Sequence, residues 1–246
     1  MYFEMAPFDY LDSLRYNRAI ILMKFGGNGM AIKVGLRYIE QWKESMEDEV
    51  LAYEAEPQEK GQIVFYGPSY FTRWGTRFGM KPMRDVLLGK SGAKCVVNRG
   101  FGSSCSEHQL YYYPRLIRPL APKVLVYECF GNSGAFGYTQ DETWELAQRV
   151  LAYARTDFPD IKIYLCGPHP SRDQTPEKVA AKEEFAQRLK DYAAETPNCT
   201  FIDVLHYAPL DRKDIYVEDG VHFNQMGYDI YKDIYLEALK EELNAF

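Results

Sequence analysis

Five short apolar runs, alternating with stretches of helical spacing, constrain this chain more than any other feature. They are QIVFY at 62–66, KCVVN at 94–98, KVLVYE at 123–128, IKIYLC at 161–166 and CTFIDV at 199–204, all rich in β-branched and aromatic residues. Their hydrophobicity is nearly continuous rather than alternating, which is the mark of strands covered on both faces in a parallel sheet. Helical periodicity occupies 105–120, 140–156, 176–195 and 225–243. The alternation predicts a three-layer α/β/α sandwich with a five-stranded, mainly parallel sheet over residues 61–246. Thr139 before Gln140-Asp141-Glu142, and Thr175 before Pro176-Glu177, read as helix caps.

Residues 1–60 carry no convincing strand. From about Met30 to Glu54, Ile32, Leu36, Ile39, Met46 and Val50 recur at helical spacing, so an N-terminal helical extension is expected, broken at the GGNG of Gly26–Gly29. That GGNG lacks the Lys-Ser/Thr ending of a phosphate-binding loop. Such an extension has to bury its apolar face against the main domain or against a second copy, and the second arrangement predicts a homodimer.

Composition narrows the function classes. Of 246 residues, 46% are hydrophobic and 26% charged, as in ordinary globular proteins. Lys and Arg number 29 against 35 Asp and Glu, for a net charge of −6, so nucleic acid is not an expected partner. The longest early apolar run, Ala19–Met23, is far short of the roughly 20 residues a membrane helix requires. Acidic and basic residues interrupt the first twenty positions where a secretory signal would be apolar. A cytoplasmic protein with no membrane partner is expected. Cys95, Cys105, Cys129, Cys166 and Cys199 are scattered and never paired as CxxC, which suits reduced thiols rather than a zinc site.

The chemistry concentrates at the ends of the apolar runs. In DGVHFNQMGY at 219–228, an acid stands three residues before a histidine in a Gly-containing turn. That spacing lets Asp219 orient the His222 imidazole as a base, although DxxH also occurs in plain surface turns. Ser69 follows the first run within IVFYGPSYF, where a hydroxyl is well presented either as a nucleophile or as a helix cap. NRGFGSSCS at 98–106 and ECFGNSGAF at 128–136 follow the next two runs. Their glycines suit an oxyanion hole, or simply turn the chain. A nucleotide-binding doubly wound domain shares the alternation, but no GxGxxG follows the first run.

Taken together and in order, these four segments resemble the SGNH or GDSL-type hydrolase family, in its single-domain carbohydrate-esterase-like branch. The resemblance implies a flavodoxin-like fold and a serine esterase with no metal and no cofactor. It makes Ser69 the nucleophile, His222 the general base and Asp219 the orienting acid. The implied oxyanion donors are Ser69 N–H, the Gly102–Ser103 backbone and Asn132. The implied substrate is a small ester, with an acylated sugar foremost. An acyltransferase using the same serine, or a binding protein that keeps only the fold, are the alternatives. The chain departs from the family pattern at Pro68 for Asp, Ser103 for Gly and Ser133 for Asp. Tyr70, His108 and His169 are further candidates for substrate contact. Asp203 reads as a turn cap, and His206 carries no partner signal.

Overall fold

The computed structural model describes residues 43–246. The GGNG segment and the first part of the expected N-terminal helix lie outside the described residues. The C-terminal part of the expected helix falls within helix α1 (Lys43–Ala55), whose Met46 and Val50 are buried.

The strands are β1 (Ile63–Gly67), β2 (Val96–Gly100), β3 (Val124–Tyr127), β4 (Lys162–Cys166) and β5 (Cys199–Ile202), each within two residues of its apolar run. They form one sheet in the order β2-β1-β3-β4-β5, and every pairing is parallel. This is the flavodoxin-like order, with a topological switch between β1 and β3.

Alternate side chains of each strand enter opposite cores, because successive Cβ atoms point to opposite faces. Ile63 and Phe65 of β1 join Val124, Val126, Tyr164 and Cys166 on one face. There they meet Tyr228, Tyr231 and Tyr235 of α7 (Gln225–Ala238). Val64 and Tyr66 join Leu125, Tyr127, Ile163 and Leu165 on the other face. That face is covered by α1, α4 (Ser106–Leu116), α5 (Gln140–Asp157) and α6 (Pro176–Glu195).

The helix caps behave as their residue types require. Thr139 Oγ1 accepts from Glu142 N–H at 3.1 Å, and Glu142 Oε2 accepts from Thr139 N–H at 3.0 Å. Thr175 caps α6 ahead of Pro176. Helix α4 ends at Leu116, short of the expected 120, and a 3-10 turn takes over at Arg118–Leu120. Pro119 has no N–H to continue the i→i−4 ladder, which accounts for the change. The expected helix over 225–243 divides at Leu239 into α7 and α8 (Lys240–Asn244).

Two short helices, α2 (Ser69–Thr72) and α3 (Met83–Val86), lie in the β1–β2 connection; the first stands where a helix or turn was expected after Ser69, the second was not expected. All five cysteines are free thiols, and four of them are buried.

Candidate active site

β1, β2 and β3 are neighbours, so the segments that follow them emerge side by side. Gly67 pairs in register with Gly100. A Cβ on Gly100 would come within 2.5 Å of Phe71 Cβ and Thr72 N, so glycine is what lets β2 lie against the backbone of α2. Ser69 is the first residue of α2 and half-buried.

A loop following β5 brings Asp219 and His222 to it. His222 Nε2 lies 2.8 Å from Ser69 Oγ, and His222 Nδ1 lies 2.7 Å from Asp219 Oδ2. Asp219 Oδ1 also accepts the backbone N–H groups of Val221 and His222, each at 2.9 Å, which closes the turn around Gly220 at φ +69°. Burial raises the Asp219 pKa, but the His222 N–H, the His222 ring and the Val221 N–H outweigh it and bring the carboxyl to about 2. Burial lowers the His222 pKa; the bond to Asp219 opposes this, while the Arg73 guanidinium 3.6 Å from Asp219 Oδ2 adds to it. The net effect keeps the imidazole neutral and able to take a proton.

Neighbouring side chains hold that loop. Tyr70 Oη donates to Val221 C=O at 2.8 Å, and the Tyr70 ring stacks on His169 with centroids 3.7 Å apart. His169 Nε2 meets Tyr231 Oη at 2.5 Å. Burial depresses the His169 pKa well below the usual histidine value. Arg172 donates to Glu218 C=O at 3.0 Å. Tyr70 and His169 are 9% and 5% exposed, so they brace the acid–base loop from within rather than offering faces to substrate. His108 is fully buried in α4 with Nδ1 against Cys105 Sγ, which removes it from the surface where substrate contact was expected.

Two turns flank the serine. In the first, Ser104 N–H closes onto Phe101 C=O at 3.4 Å with Ser103 at φ +60°, a left-handed conformation natural to the glycine that the family pattern has there. Gly102 N–H, expected beside Ser103 as a donor, is instead donated to Glu49 Oε2 of α1 at 3.0 Å. In the second turn, Asn132 sits at φ +63° and its side-chain amide donates to Ser104 C=O at 2.9 Å, tying the two turns together. The amide has a second N–H to give.

Glu128, at the end of β3, accepts from Phe130 N–H and Gly131 N–H, both at 3.0 Å, and so fixes the turn that presents Asn132. Burial raises its pKa to about 7 against those two N–H groups, which lower it. An anchored turn is thus present although Ser133 stands where the family has Asp. An acid at the end of an otherwise apolar run was the signal for Glu128. Glu49 and Arg73 had none.

A second Asp-x-x-His turn serves as an internal control. His206, for which no partner was expected, places Nδ1 2.9 Å from Asp203 and Nε2 2.9 Å from Glu183. With carboxylates on both nitrogens its pKa is raised, chiefly by the Asp203 and Glu183 hydrogen bonds, and it faces no hydroxyl among the described residues. Identical spacing therefore gives a histidine held between two carboxylates at the surface in one place and an imidazole beside a serine in the other.

A cavity of about 850 Å³ adjoins the first turn, lined by Glu49, Tyr53, Thr72, Trp74, Gly102 and Ser103 among others. No group of metal-ligating side chains occurs among the described residues, nor is any helix there long and apolar enough to cross a membrane.

The profile of the GDSL-like Lipase/Acylhydrolase family matches residues 65–230. The fold is similar to that of a candidate acylhydrolase from Bacteroides fragilis, at 21% identity and a TM-score of 0.62, covering 87% of this chain and 100% of that one. It is similar to a GDSL-like lipase from Bacteroides thetaiotaomicron, at 21% identity and a TM-score of 0.59, covering 82% and 98%. It also resembles the C-terminal catalytic domain of peptidoglycan O-acetyltransferase A from Streptococcus pneumoniae, at 19% identity and a TM-score of 0.54, covering 74% and 94%. Among curated proteins no match is found.

Proposed function

The chain belongs to the GDSL-like lipase/acylhydrolase family, and from that premise we propose that it is a serine esterase removing short acyl groups, acetyl foremost, from carbohydrates or other small alcohols. The observation that carries this reading is the continuous contact from Asp219 through His222 to Ser69, at 2.7 and 2.8 Å. In the proposed mechanism His222 Nε2 takes the Ser69 proton as Oγ attacks the ester carbonyl, and Asp219 stabilises the imidazolium that forms. The oxyanion is received by Ser69 N–H, Ser103 N–H and the Asn132 amide, each donor being worth on the order of a hundredfold to a thousandfold in rate. Collapse returns the proton from His222 to the leaving alkoxide, and the same base then activates water to hydrolyse the acyl-serine.

Tyr70 and Phe71, which directly follow Ser69, are both buried in the core. The carbohydrate part of the reading rests on the wording of the sequence blocks alone. The neutral base and the anchored donor turns favour turnover over a binding-only domain. A sugar hydroxyl in place of water would give an acyltransferase through the same intermediate, and the O-acetyltransferase neighbour makes this the second reading.

The test is hydrolysis of p-nitrophenyl acetate and longer esters by the native chain and by Ser69→Ala. Loss of a triad member costs on the order of a millionfold in kcat, so the variant should fall to background. Equal rates in both proteins overturn the proposal. Added sugar alcohols that yield acylated product faster than free acid would favour the transferase reading.

A further inference from the structure

Resting on the acyl-serine reading above, we propose that Glu49 is a positioning residue for the oxyanion hole, holding the Phe101–Ser104 turn so that Ser103 N–H faces the reacting carbonyl. The turn has three consecutive amides after Phe101. The first, Gly102 N–H, is bound by Glu49 Oε2 at 3.0 Å, and the third, Ser104 N–H, is bound by Phe101 C=O. Ser103 N–H has no partner among the described residues, so it is the amide the turn leaves free to donate. A peptide unit flanked by two fixed ones has little freedom to rotate, and an unengaged amide costs no reorganisation when charge develops beside it.

Helix α1 is firmly seated for this task. Met46 and Val50 lie in the core, and Glu47 and Glu54 pair with Arg115 of α4 at 2.7 and 2.8 Å. Tyr53 Oη donates to Gly100 C=O at 2.5 Å, and Glu56 Oε2 accepts from Arg99 at 2.7 Å. One helix thus grips the residues entering the turn, the turn itself and the helix leaving it. Glu49 Oε1 is 3.6 Å from Arg77, an exposed side chain that adds little to the arrangement. Asn132 secures the far flank through Ser104 C=O, so the Glu49 bond is the matching tether on the side facing α1.

The experiment compares the full chain with Glu49→Ala and Glu49→Gln. A misplaced donor costs part of what a deleted one costs, so Glu49→Ala should lower kcat by about tenfold to a hundredfold, with KM changed by less than about threefold. Gln keeps an acceptor oxygen at the same reach and should recover most of that loss. Amide hydrogen exchange at Gly102 should accelerate at least tenfold in Glu49→Ala and little in Glu49→Gln, while the urea midpoint stays close to native in both. A native chain that is active and labelled at Ser69 by a phosphonate, but whose Glu49→Ala variant keeps full kcat, overturns this inference and leaves the esterase reading standing. A native chain that neither turns over nor labels overturns both.

Discussion

Asp219 binds His222 twice within one four-residue turn, with Oδ2 on the ring Nδ1 at 2.7 Å and Oδ1 on the backbone N–H at 2.9 Å. The two contacts have separable purposes, since the backbone bond shapes the turn and the ring bond sets the tautomer.

Asp219→Asn separates them. The amide oxygen can still accept from the backbone, but the NH₂ group facing Nδ1 forces the proton onto Nε2, which then cannot take one from Ser69. The expected outcome is a kcat lower by about 10⁴ with a near-native unfolding midpoint, checked by esterase kinetics and urea denaturation.

The pH profile follows from the depressed His222 pKa. Activity requires the neutral imidazole, so kcat/KM should fall as pH drops through a midpoint below 6.5. Arg73→Ala removes a positive charge that disfavours the imidazolium, so its acid limb should move up towards 6.5. Arg73→Lys keeps the charge and should leave the limb near its native position.

Gly100→Ala tests the close approach of β2 to α2. Its Cβ would meet Phe71 Cβ and Thr72 N at 2.5 Å, which is backbone contact with the helix that carries Ser69. Overpacking of this kind costs roughly 1–3 kcal/mol, and the displaced nucleophile should lower kcat as well. Gly75→Ala, where a Cβ meets nothing within 4 Å, should change stability by less than about 0.5 kcal/mol in the same urea assay.

Ser103→Gly relieves a left-handed residue. A side chain there costs roughly 1–2 kcal/mol, and glycine returns about 0.4–1 kcal/mol of unfolded-state entropy. A net gain in unfolding free energy between about 0 and about 1.6 kcal/mol is expected, with kcat retained because the donor is backbone. A lower urea midpoint would contradict this reading of the turn.

How much of this was legible in the sequence depended on how local the cause was. The strands are short runs buried on both faces, and that burial forces near-continuous hydrophobicity, so Ile63–Gly67 and Lys162–Cys166 were visible within a residue. Asp219 and His222 share one turn, and Thr139 caps its own helix, so spacing alone suggested them. Glu49 meets Gly102 across 53 positions of sequence, and Tyr70 stacks on His169 across 99, so no periodicity announces either contact. The same blindness hid the pairing of His206 with Glu183, and it left Asp203–His206 and Asp219–His222 looking alike until their surroundings were known. Helix ends at Leu116 and Ala238 were missed because the periodic pattern outlasted the backbone that could follow it.

Ser69 and its two flanking turns grow from three adjoining parallel strands, whereas Asp219 and His222 travel together on a single loop after β5. This separates a rigid chassis, whose spacing is dictated by hydrogen-bond register, from a plug-in cartridge that meets it through the Ser69–His222 contact and the Tyr70 and Arg172 braces. Change upstream of Asp219 is therefore confined to the exposed stretch 211–214, because Leu210, Ile215 and Tyr216 on either side of it are buried in the frame's own core.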